Sequence, residues 1–366
     1  MAVYKRDGTQ LSTIYDRSGT SLQYAYDVHG NEIFSGDAPE PWVKTYVTYD
    51  TAYITDAWLE NAVTQRDAIK TLYQASNNAI PFFIQTDGHG KYNEGNKGCH
   101  NKAEETMRYI MNIQLGDWGS YYDNGANATR HKQTSEGITN YLPAMGNHEF
   151  LSNNSAEAPI ASLPVLVDSF VSPNAILGSE TYGYYKVIDS KRKVKWLVTQ
   201  PHIPVDKTIN SSGFLWKMTG DQYEWLIDEL EANDTYDIVV IQHEPLNGTY
   251  TTRGGGTSES EFTNMSIGEI LAARKAKTNG SYTDSDGVTH SYDFRSTTTD
   301  LLCSLHGHNH AESYMTKATL GFPVYVADDF DNDLKCLYGL IDRTGGKLYI
   351  YTFGKTSADN VLTLDL

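Results

Sequence analysis

The chain has 366 residues, of which 39% are hydrophobic, so it carries enough apolar material for a folded core and wholesale disorder is excluded. Its formal net charge of −17 argues against a nucleic-acid groove or a surface that binds anionic membranes. No run of about 18 apolar residues occurs, and the first residues lack an apolar core, so neither a transmembrane helix nor a signal peptide is predicted.

The N-terminal segment, residues 1–36, consists of three units with a period of 11 residues. Turn pairs such as Ser18-Gly19, together with the low helix propensity of glycine, favour short strands over a helical coil. We therefore predict a β-repeat arm, followed by a Pro-containing linker over residues 37–45. The repeated positions are Tyr4, Tyr15 and Tyr26, then Gly8, Gly19 and Gly30, then Leu11, Leu22 and Ile33.

The arm also suggests a context for the protein. Its stretch from Tyr24 to Ile33 resembles the Tyr-Asp repeats of bacterial surface and phage-associated proteins. Three Gly-broken units bury little apolar surface alone, so we expect the arm to mediate oligomerisation or attachment to a larger particle. A partly ordered terminal arm is the alternative interpretation. We expect a protein that is cytoplasmic or associated with a phage particle.

Residues 46–366 are predicted to form one α/β domain, because helical and strand patterns alternate along them. Helices are predicted over 56–75, near 101–110 and from Thr219 through Leu230, where Thr219 and Gln222 have capping-box spacing. The polar, Gly-rich residues 246–298 predict a large loop insertion with one helix near 264–276. The predicted strands are 79–85, a short strand leading into Leu115, 141–145, two strands within 181–200, 238–241, 301–305, 323–327, 336–342 and 347–353.

Side chains that bind metals follow each strand predicted to lie at the centre of the domain. They are Asp87 and His89, then Asp117, then Asn147 with His148, then His243, then His308 and His310. Ligand sites of α/β sheets lie outside the carboxyl ends of the strands, so these loops are expected to converge. Carboxylate, imidazole and amide groups together suit Mn, Fe or Zn, and a shared Asp would create a two-metal centre.

The ordered set of motifs strongly resembles that of the calcineurin-like metallophosphoesterases. The resemblance covers about residues 80–315, and it implies a four-layer α/β/β/α sandwich in which two mixed sheets face each other with helices outside. The motifs are Asp87-Gly88-His89, Gly116-Asp117, Gly146-Asn147-His148-Glu149, the lone His243 and Gly307-His308-Asn309-His310.

The resemblance also implies a role for each motif residue. Asp87, His89 and His310 would hold a first divalent ion, Asn147, His243 and His308 a second, and Asp117 would bridge the two. A metal-bound hydroxide would then attack the phosphorus of a phosphate monoester or diester. His148 would protonate or stabilise the leaving oxygen, and Glu149 would orient His148.

The motifs leave the substrate and one alternative function open. The stretch from Gly116 to Ser120 lacks the tyrosine that purple acid phosphatases carry there, and the Asp-Arg-Gly continuation of protein Ser/Thr phosphatases is absent. The alternative is a non-catalytic or weakly catalytic structural or binding component of a phage particle or cell surface on the same fold. The intact ligand set and His148 favour activity.

Overall fold

The fold is built from two large sheets and the helices that cover them. The computed structural model describes residues 14–15, 21–22, 24–26, 32–35, 56–76, 78–89, 110–118, 131–132, 135, 138, 140–150, 167–200, 203–204, 216–253, 256–260, 267–284, 286–330, 335–353 and 360–366. The helix predicted near 101–110 lies outside these residues except at its last position.

Within the N-terminal arm, the described residues form short antiparallel strands, as the repeat predicts. β1 (Ile14–Tyr15) pairs with β2 (Ser21–Leu22), and β3 (Tyr24–Tyr26) pairs with β4 (Glu32–Ser35). The predicted turn pair Ser18-Gly19 falls between the first two strands. Attachment of the arm to a partner stays a prediction.

The first large sheet has six strands among the described residues, in the order β23-β22-β21-β5-β6-β7. β5, β6 and β7 run parallel to one another, whereas β21 to β23 add antiparallel strands on one side. The strands are β5 (Ala79–Gln85), β6 (Met111–Gln114), β7 (Tyr141–Pro143), β21 (Cys336–Asp342), β22 (Lys347–Phe353) and β23 (Asn360–Asp365). The terminal strand β23 was not predicted.

The second large sheet has nine strands within the described ranges, in the order β15-β14-β19-β20-β18-β13-β10-β9-β8. Its centre, from β20 to β10, is parallel, and its flanks are antiparallel. The strands are β8 (Ile176–Leu177), β9 (Tyr185–Asp189), β10 (Val194–Val198), β13 (Asp237–Ile241), β14 (Gly248–Thr252), β15 (Thr257–Ser260), β18 (Leu301–His306), β19 (Ser313–Met315) and β20 (Val324–Val326).

Alternation along the central strands creates the four layers. In β13, Val239 and Ile241 point into the core between the two sheets, whereas Ile238 and Val240 point to the outer face. A strand covered on both faces reads as a continuous apolar run, which is why this segment was recognised from sequence. In β5, Phe82 enters the core between the sheets and Phe83 faces outward. The predicted α/β/β/α sandwich is confirmed.

Helices cover the outer faces of both sheets. α1 (Asp56–Ala75) packs on the six-stranded sheet through Ala62 and Ile69. α3 (Gly220–Glu231) and α4 (Ile267–Ala276) pack on the nine-stranded sheet. The side chain of Thr219 caps α3 by accepting a hydrogen bond from the Gln222 amide, as its capping-box spacing predicts. No helix within the described ranges combines the length and apolar character that crossing a bilayer requires.

Residues 246–298 are more regular than the predicted loop insertion. They supply β14 and β15 at the edge of the nine-stranded sheet, helix α4, and a hairpin of β16 (Asn279–Thr283) and β17 (Thr289–Asp293). The hairpin lies on α3, where the His290 ring stacks on Tyr223 and His290 Nε2 lies 2.9 Å from Asp284 Oδ2. Its strands are polar and largely exposed, so they lack the apolar pattern that identifies buried strands. The described residues also include the strand pair β11 (Ile203–Pro204) with β12 (Trp216–Lys217), and the short helices α2 (Asn147–Phe150) and α5 (Lys317–Leu320).

Arg343 joins the two sheets at the amino ends of their parallel strands. It follows β21 of the six-stranded sheet, and its Nη1 lies 3.1 Å from Asp237 Oδ2 at the start of β13. Its Nη2 donates to the Arg192 carbonyl oxygen at 2.6 Å, in the turn between β9 and β10. The side chain therefore connects both halves of the sandwich at one rim.

Candidate metal centre

The predicted ligands converge at the opposite rim, where the parallel strands end. The six-stranded sheet supplies Asp87, His89, Asp117 and Asn147 from the loops after β5, β6 and β7, and the nine-stranded sheet supplies His243, His308 and His310 from the loops after β13 and β18. Backbone hydrogen bonds continue between neighbouring loops: the His89 amide donates to the Asp117 carbonyl at 3.0 Å, and the Gly307 amide to the His243 carbonyl at 2.8 Å. The sheets thus bring all seven side chains to one place.

The backbone at this rim is unusual. Left-handed φ angles aim the side chains of Asp87 (52°), His89 (43°), Asp117 (52°), His308 (73°) and His310 (50°). Few non-glycine residues adopt such angles, and they gather at functional sites. Gly146 allows a close approach between two loops, because a Cβ there would collide with the Asp117 carboxylate.

A first cluster consists of Asp87, His89 and His310, whose potential ligand atoms all lie within 4.8 Å of one another. His89 Nε2 and His310 Nε2 are 2.9 Å apart, and His310 Nε2 is 3.4 Å from Asp87 Oδ1. The second oxygen of Asp87 accepts hydrogen bonds from Thr86 Oγ1 at 2.6 Å and from the His308 amide at 2.9 Å. One carboxylate oxygen is thereby fixed, and the other faces the two rings.

A second cluster consists of Asp117, Asn147, His243 and His308. His243 Nε2 lies 3.2 Å from Asp117 Oδ2, 3.2 Å from Asn147 Oδ1 and 3.2 Å from His308 Nδ1. Asn147 Oδ1 is 2.9 Å from His308 Nδ1. On its other side, His243 Nδ1 contacts the carbonyl oxygen of Leu115, which leaves Nε2 directed into the cluster.

Asp117 links the two clusters. It groups with His243 and His308 on one side and with His89 and His148 on the other, each time with ligand atoms within 4.8 Å. Its side chain is almost fully buried, and its Oδ1 accepts a hydrogen bond from the His148 amide at 2.7 Å. Asp117 therefore contacts potential ligand atoms of both clusters.

His148 and Glu149 lie in the short helix α2, which begins at Asn147. The His148 ring packs edge-on against His89 with centroids 4.4 Å apart, and His148 Nε2 is 3.9 Å from Asp117 Oδ2. Glu149 Oε2 accepts hydrogen bonds from the amides of Gly146 at 2.6 Å and Asp117 at 3.0 Å. Glu149 therefore holds two motif loops together, and its orientation of His148 stays a prediction.

Three further residues support the centre although no motif marks them. Asp329, which follows β20, places its Oδ2 3.1 Å from His310 Nδ1. Gln200 Oε1 accepts a hydrogen bond from the Met145 amide at 2.9 Å, and Gln222 Oε1 accepts one from the Gln200 amide at 2.7 Å. Helix α3 thereby fixes the backbone that enters the Gly146 loop. A carboxylate shortly after an apolar strand is the one sequence signal at Asp329, but its contact with His310 depends on the strand order of the sheet.

The charged groups of the centre shift one another's pKa values. Burial is the largest single influence on Asp87 and Asp117 and would raise the pKa of both. His243 together with the other neighbours, His310 and Thr86 at Asp87 and His148 at Asp117, more than offsets burial and holds both pKa values below their usual range. Burial would conversely lower the pKa of His243, and the two carboxylates raise it well above normal. In this arrangement, ionised carboxylates face imidazole rings that can carry protons. A divalent cation can bind there by displacing those protons, because metal ligands must be deprotonated.

The two histidines of the last motif differ in pKa. Burial and the charge of His243 lower the pKa of His308 to about 4, so His308 is a neutral donor at physiological pH. Contacts with Asp329 and Asp87 raise the pKa of His310 to about 10. His306, the last residue of β18, is buried and has both ring nitrogens 2.7 Å from protein oxygens, consistent with a structural strand-end residue.

The donor set fits divalent metal ions. Asp87 Oδ1 is buried and makes no hydrogen bond to any described residue, although its neighbours are two imidazoles. Such a buried polar atom is costly unless a partner satisfies it. Three carboxylate or amide oxygens and four imidazoles facing one another at these distances match the ligand preferences of Mn, Fe and Zn.

The chain is similar to a known protein family and to several solved structures. A family model described as calcineurin-like phosphoesterase matches residues 80–312, well over half of the chain. Similar solved structures include PhoD (9% identity, TM-score 0.47, covering 78% of this chain and 68% of that chain) and GAP50, the anchor in the inner membrane complex of Plasmodium (9%, 0.45, 79% and 89%). A 5′-nucleotidase precursor from Thermus thermophilus matches at 13% identity and a TM-score of 0.40, over 79% of this chain but only 54% of its own. No curated protein sequence matches the chain.

Proposed function

Because the chain belongs to the calcineurin-like phosphoesterase family, we propose that it hydrolyses a phosphate monoester or diester at a centre of two divalent metal ions. The observation that carries this proposal is the position of Asp117 between two clusters of ligand atoms. A buried carboxylate in contact with ligand atoms of both clusters is the arrangement that a metal ligand shared by two ions needs.

The residues of each cluster define where the ions would bind. Asp87, His89 and His310 would hold the first ion, Asn147, His243 and His308 the second, and Asp117 would contact both. Ions in such a site polarise phosphoryl oxygens and lower the pKa of bound water. Because the protein as a whole carries a charge of −17, a phosphate ester would depend on this local positive charge for its attraction.

His148 is the residue that would donate a proton to the leaving oxygen. Its side chain is 22% exposed and stands beside His89 and Asp117, at the edge of the ligand set rather than within it. A histidine so placed can reach a substrate atom while the ligands remain in place. Its backbone is fixed by the hydrogen bond from its amide to Asp117, so the ring starts from a defined position.

The test combines metal analysis with turnover of two model substrates. Purified protein should contain or take up two divalent ions per chain and hydrolyse p-nitrophenyl phosphate or bis-p-nitrophenyl phosphate when Mn²⁺ is added. Asp117→Asn should abolish hydrolysis and lose at least one ion, because one carboxylate serves both clusters. Asp284→Asn, a buried Asp contacting a His outside the centre, is the matched control and should keep both properties.

Two outcomes would contradict the proposal. Wild-type metal content and rate in Asp117→Asn would refute the two-metal centre. A wild-type protein that binds two ions but turns over neither substrate would instead favour the non-catalytic structural or binding component.

A further inference from the structure

The loop that carries His310 crosses over the end of one strand, β20. Residues 307–312 connect β18 to β19, and β20 lies between these two strands in the sheet. The Ala327 amide at the end of β20 donates to the His306 carbonyl at 2.8 Å. The residues that follow β20 must therefore emerge beneath the His310 loop, and Asp329 is among them.

Asp329 and His310 form a close contact at that point. The Asp329 carboxylate is almost fully buried, and its Oδ2 lies 3.1 Å from His310 Nδ1. The other ring nitrogen, Nε2, lies 3.4 Å from Asp87 Oδ1 and 2.9 Å from His89 Nε2. An ionised carboxylate only accepts hydrogen bonds, so Nδ1 must carry the proton. Nε2 is then the nitrogen that can offer a lone pair to a cation.

The segment that presents Asp329 is itself fixed. The Phe330 amide donates to the Thr86 carbonyl at 3.0 Å, and Thr86 directly precedes the ligand Asp87. The Asp329 amide donates to Asp328 Oδ1 at 2.9 Å, and the other oxygen of Asp328 pairs with Lys335. Asp329 is thus tied to the same strand end that supplies the first cluster.

We propose that Asp329 is a positioning residue, which holds His310 with Nδ1 protonated and Nε2 directed at the first metal ion. The inference rests on the proposed function, since it concerns the same centre. Carboxylates that accept a hydrogen bond from a metal-binding histidine fix its tautomer and orientation, and their loss typically weakens metal binding about 10–100-fold.

The second cluster provides an internal contrast. There, His243 Nδ1 contacts the carbonyl oxygen of Leu115, so the corresponding task belongs to the backbone. A side-chain substitution can remove the partner of His310 but not that of His243. Loss of Asp329 should consequently affect one ion and spare the other, which a general structural defect would not do.

The experiment is a titration of the metal-free full-length chain with Mn²⁺ alone, followed by calorimetry and electron paramagnetic resonance. The wild type should bind two ions. Asp329→Ala should bind one with an affinity within about threefold of the wild type and the other about 10–100-fold more weakly. Asp329→Glu, which keeps the carboxylate, should recover part of the loss. Asp284→Asn should bind both ions as the wild type does.

Each outcome separates the two proposals. A wild type that binds no ion refutes the proposed function itself. If Asp329→Ala binds both Mn²⁺ ions with wild-type affinity, or both ions equally more weakly, the positioning role of Asp329 is refuted while the proposed function stands. Should Asp329→Ala fail to fold, ¹⁵N-histidine spectra of Zn²⁺-loaded wild type decide the matter: His310 should show a protonated Nδ1, and an unprotonated Nδ1 would refute the inference.

Discussion

Five residues of the candidate metal centre combine a metal-binding type of side chain with a left-handed backbone, two features that rarely occur together. Asp87, His89, Asp117, His308 and His310 have side chains of the types that can bind metals and backbone angles that favour glycine. Each such residue costs of the order of 1–3 kcal/mol, and the surrounding hydrogen bonds must offset that cost. Such hydrogen bonds are present: Glu149 accepts from the amides of two site loops, and the Thr86 hydroxyl donates to the Asp87 carboxylate.

At the level of single residues, a substitution of His148 should affect catalysis without affecting metal binding. We expect His148→Ala to keep both ions, because its ring stands beside the ligand set, and to lower kcat by about 10²–10⁴-fold, the usual loss for a general acid. The loss should be smaller for p-nitrophenyl phosphate, whose leaving group scarcely needs a proton. Metal analysis and kcat for esters of good and poor leaving groups check this.

An equal loss of kcat for both kinds of ester would count against proton donation by His148. Loss of an ion in His148→Ala would show instead that this ring is a ligand, as its grouping with His89 and Asp117 permits. Asp284→Asn serves again as the control for any general effect on the fold.

At the level of elements, the core between the sheets depends on a missing side chain. Gly339 of β21 lies opposite Phe82 of β5, and a Cβ at Gly339 would overlap the Phe82 ring. That ring packs edge-on against Trp196 of the facing sheet, with centroids 6.5 Å apart, so it has no room to withdraw. Gly339→Ala should destabilise the protein by about 1–3 kcal/mol, measured as a lower urea midpoint with an unchanged m-value.

Gly268→Ala is the matched control for that substitution. Gly268 lies in α4, where a Cβ would meet Leu246 at an ordinary 3.8 Å. Alanine suits a helix better than glycine, so stability should stay unchanged or rise by about 0.5–1 kcal/mol. A Gly339→Ala protein as stable as the wild type would show that the sheets can separate to admit a methyl group.

The hairpin of β16 and β17 should respond to pH through Asp284. Burial opposes the shift, but the contact with His290 and hydrogen bonds from the amides of Val288 and Asp286 lower the pKa of Asp284. A lowered folded-state pKa stabilises the fold fully above the unfolded value of about 3.9, and this contribution is lost as pH falls through the folded value. The stability advantage of the wild type over Asp284→Asn should therefore shrink between pH 6 and pH 3 in urea titrations. A constant difference across that range would contradict the prediction.

The sequence predicted the centre of each sheet better than its edges. Val239 and its neighbours in β13 are buried on both faces and form a continuous apolar run, whereas β14 and β23 near the sheet edges are partly exposed and carry polar residues. The convergence of ligands from five loops followed from the order of the motifs. The sequence motifs did not identify Asp329 as a neighbour of His310. Their proximity depends on β20 lying between β18 and β19, and no local sequence pattern encodes that strand order.

At the level of the whole molecule, the described strands of the N-terminal arm pair only with one another. Neither large sheet includes β1 to β4 among the described residues, and every expected ligand lies beyond residue 80. Deleting residues 1–40 should leave turnover of a small phosphate ester within about twofold, a change in the barrier of under about 0.5 kcal/mol. Light scattering should show a smaller oligomer, or capture by a native partner should fail. Loss of metal binding or folding would instead assign the arm to the core.

Each expected ion would draw ligands from both halves of the sandwich, since Asp87 and His89 come from one sheet and His310 from the other, while Asn147 comes from the first and His243 with His308 from the second. An ion held there would therefore link the two sheets at the rim of the candidate metal centre. At the opposite rim, Arg343 joins the two sheets through its ion pair with Asp237 and its hydrogen bond to the Arg192 carbonyl oxygen. Chelation should consequently loosen the rim of the metal centre first, so amide exchange should quicken in the loops after β5 and β18 while the turn at Arg343 stays protected.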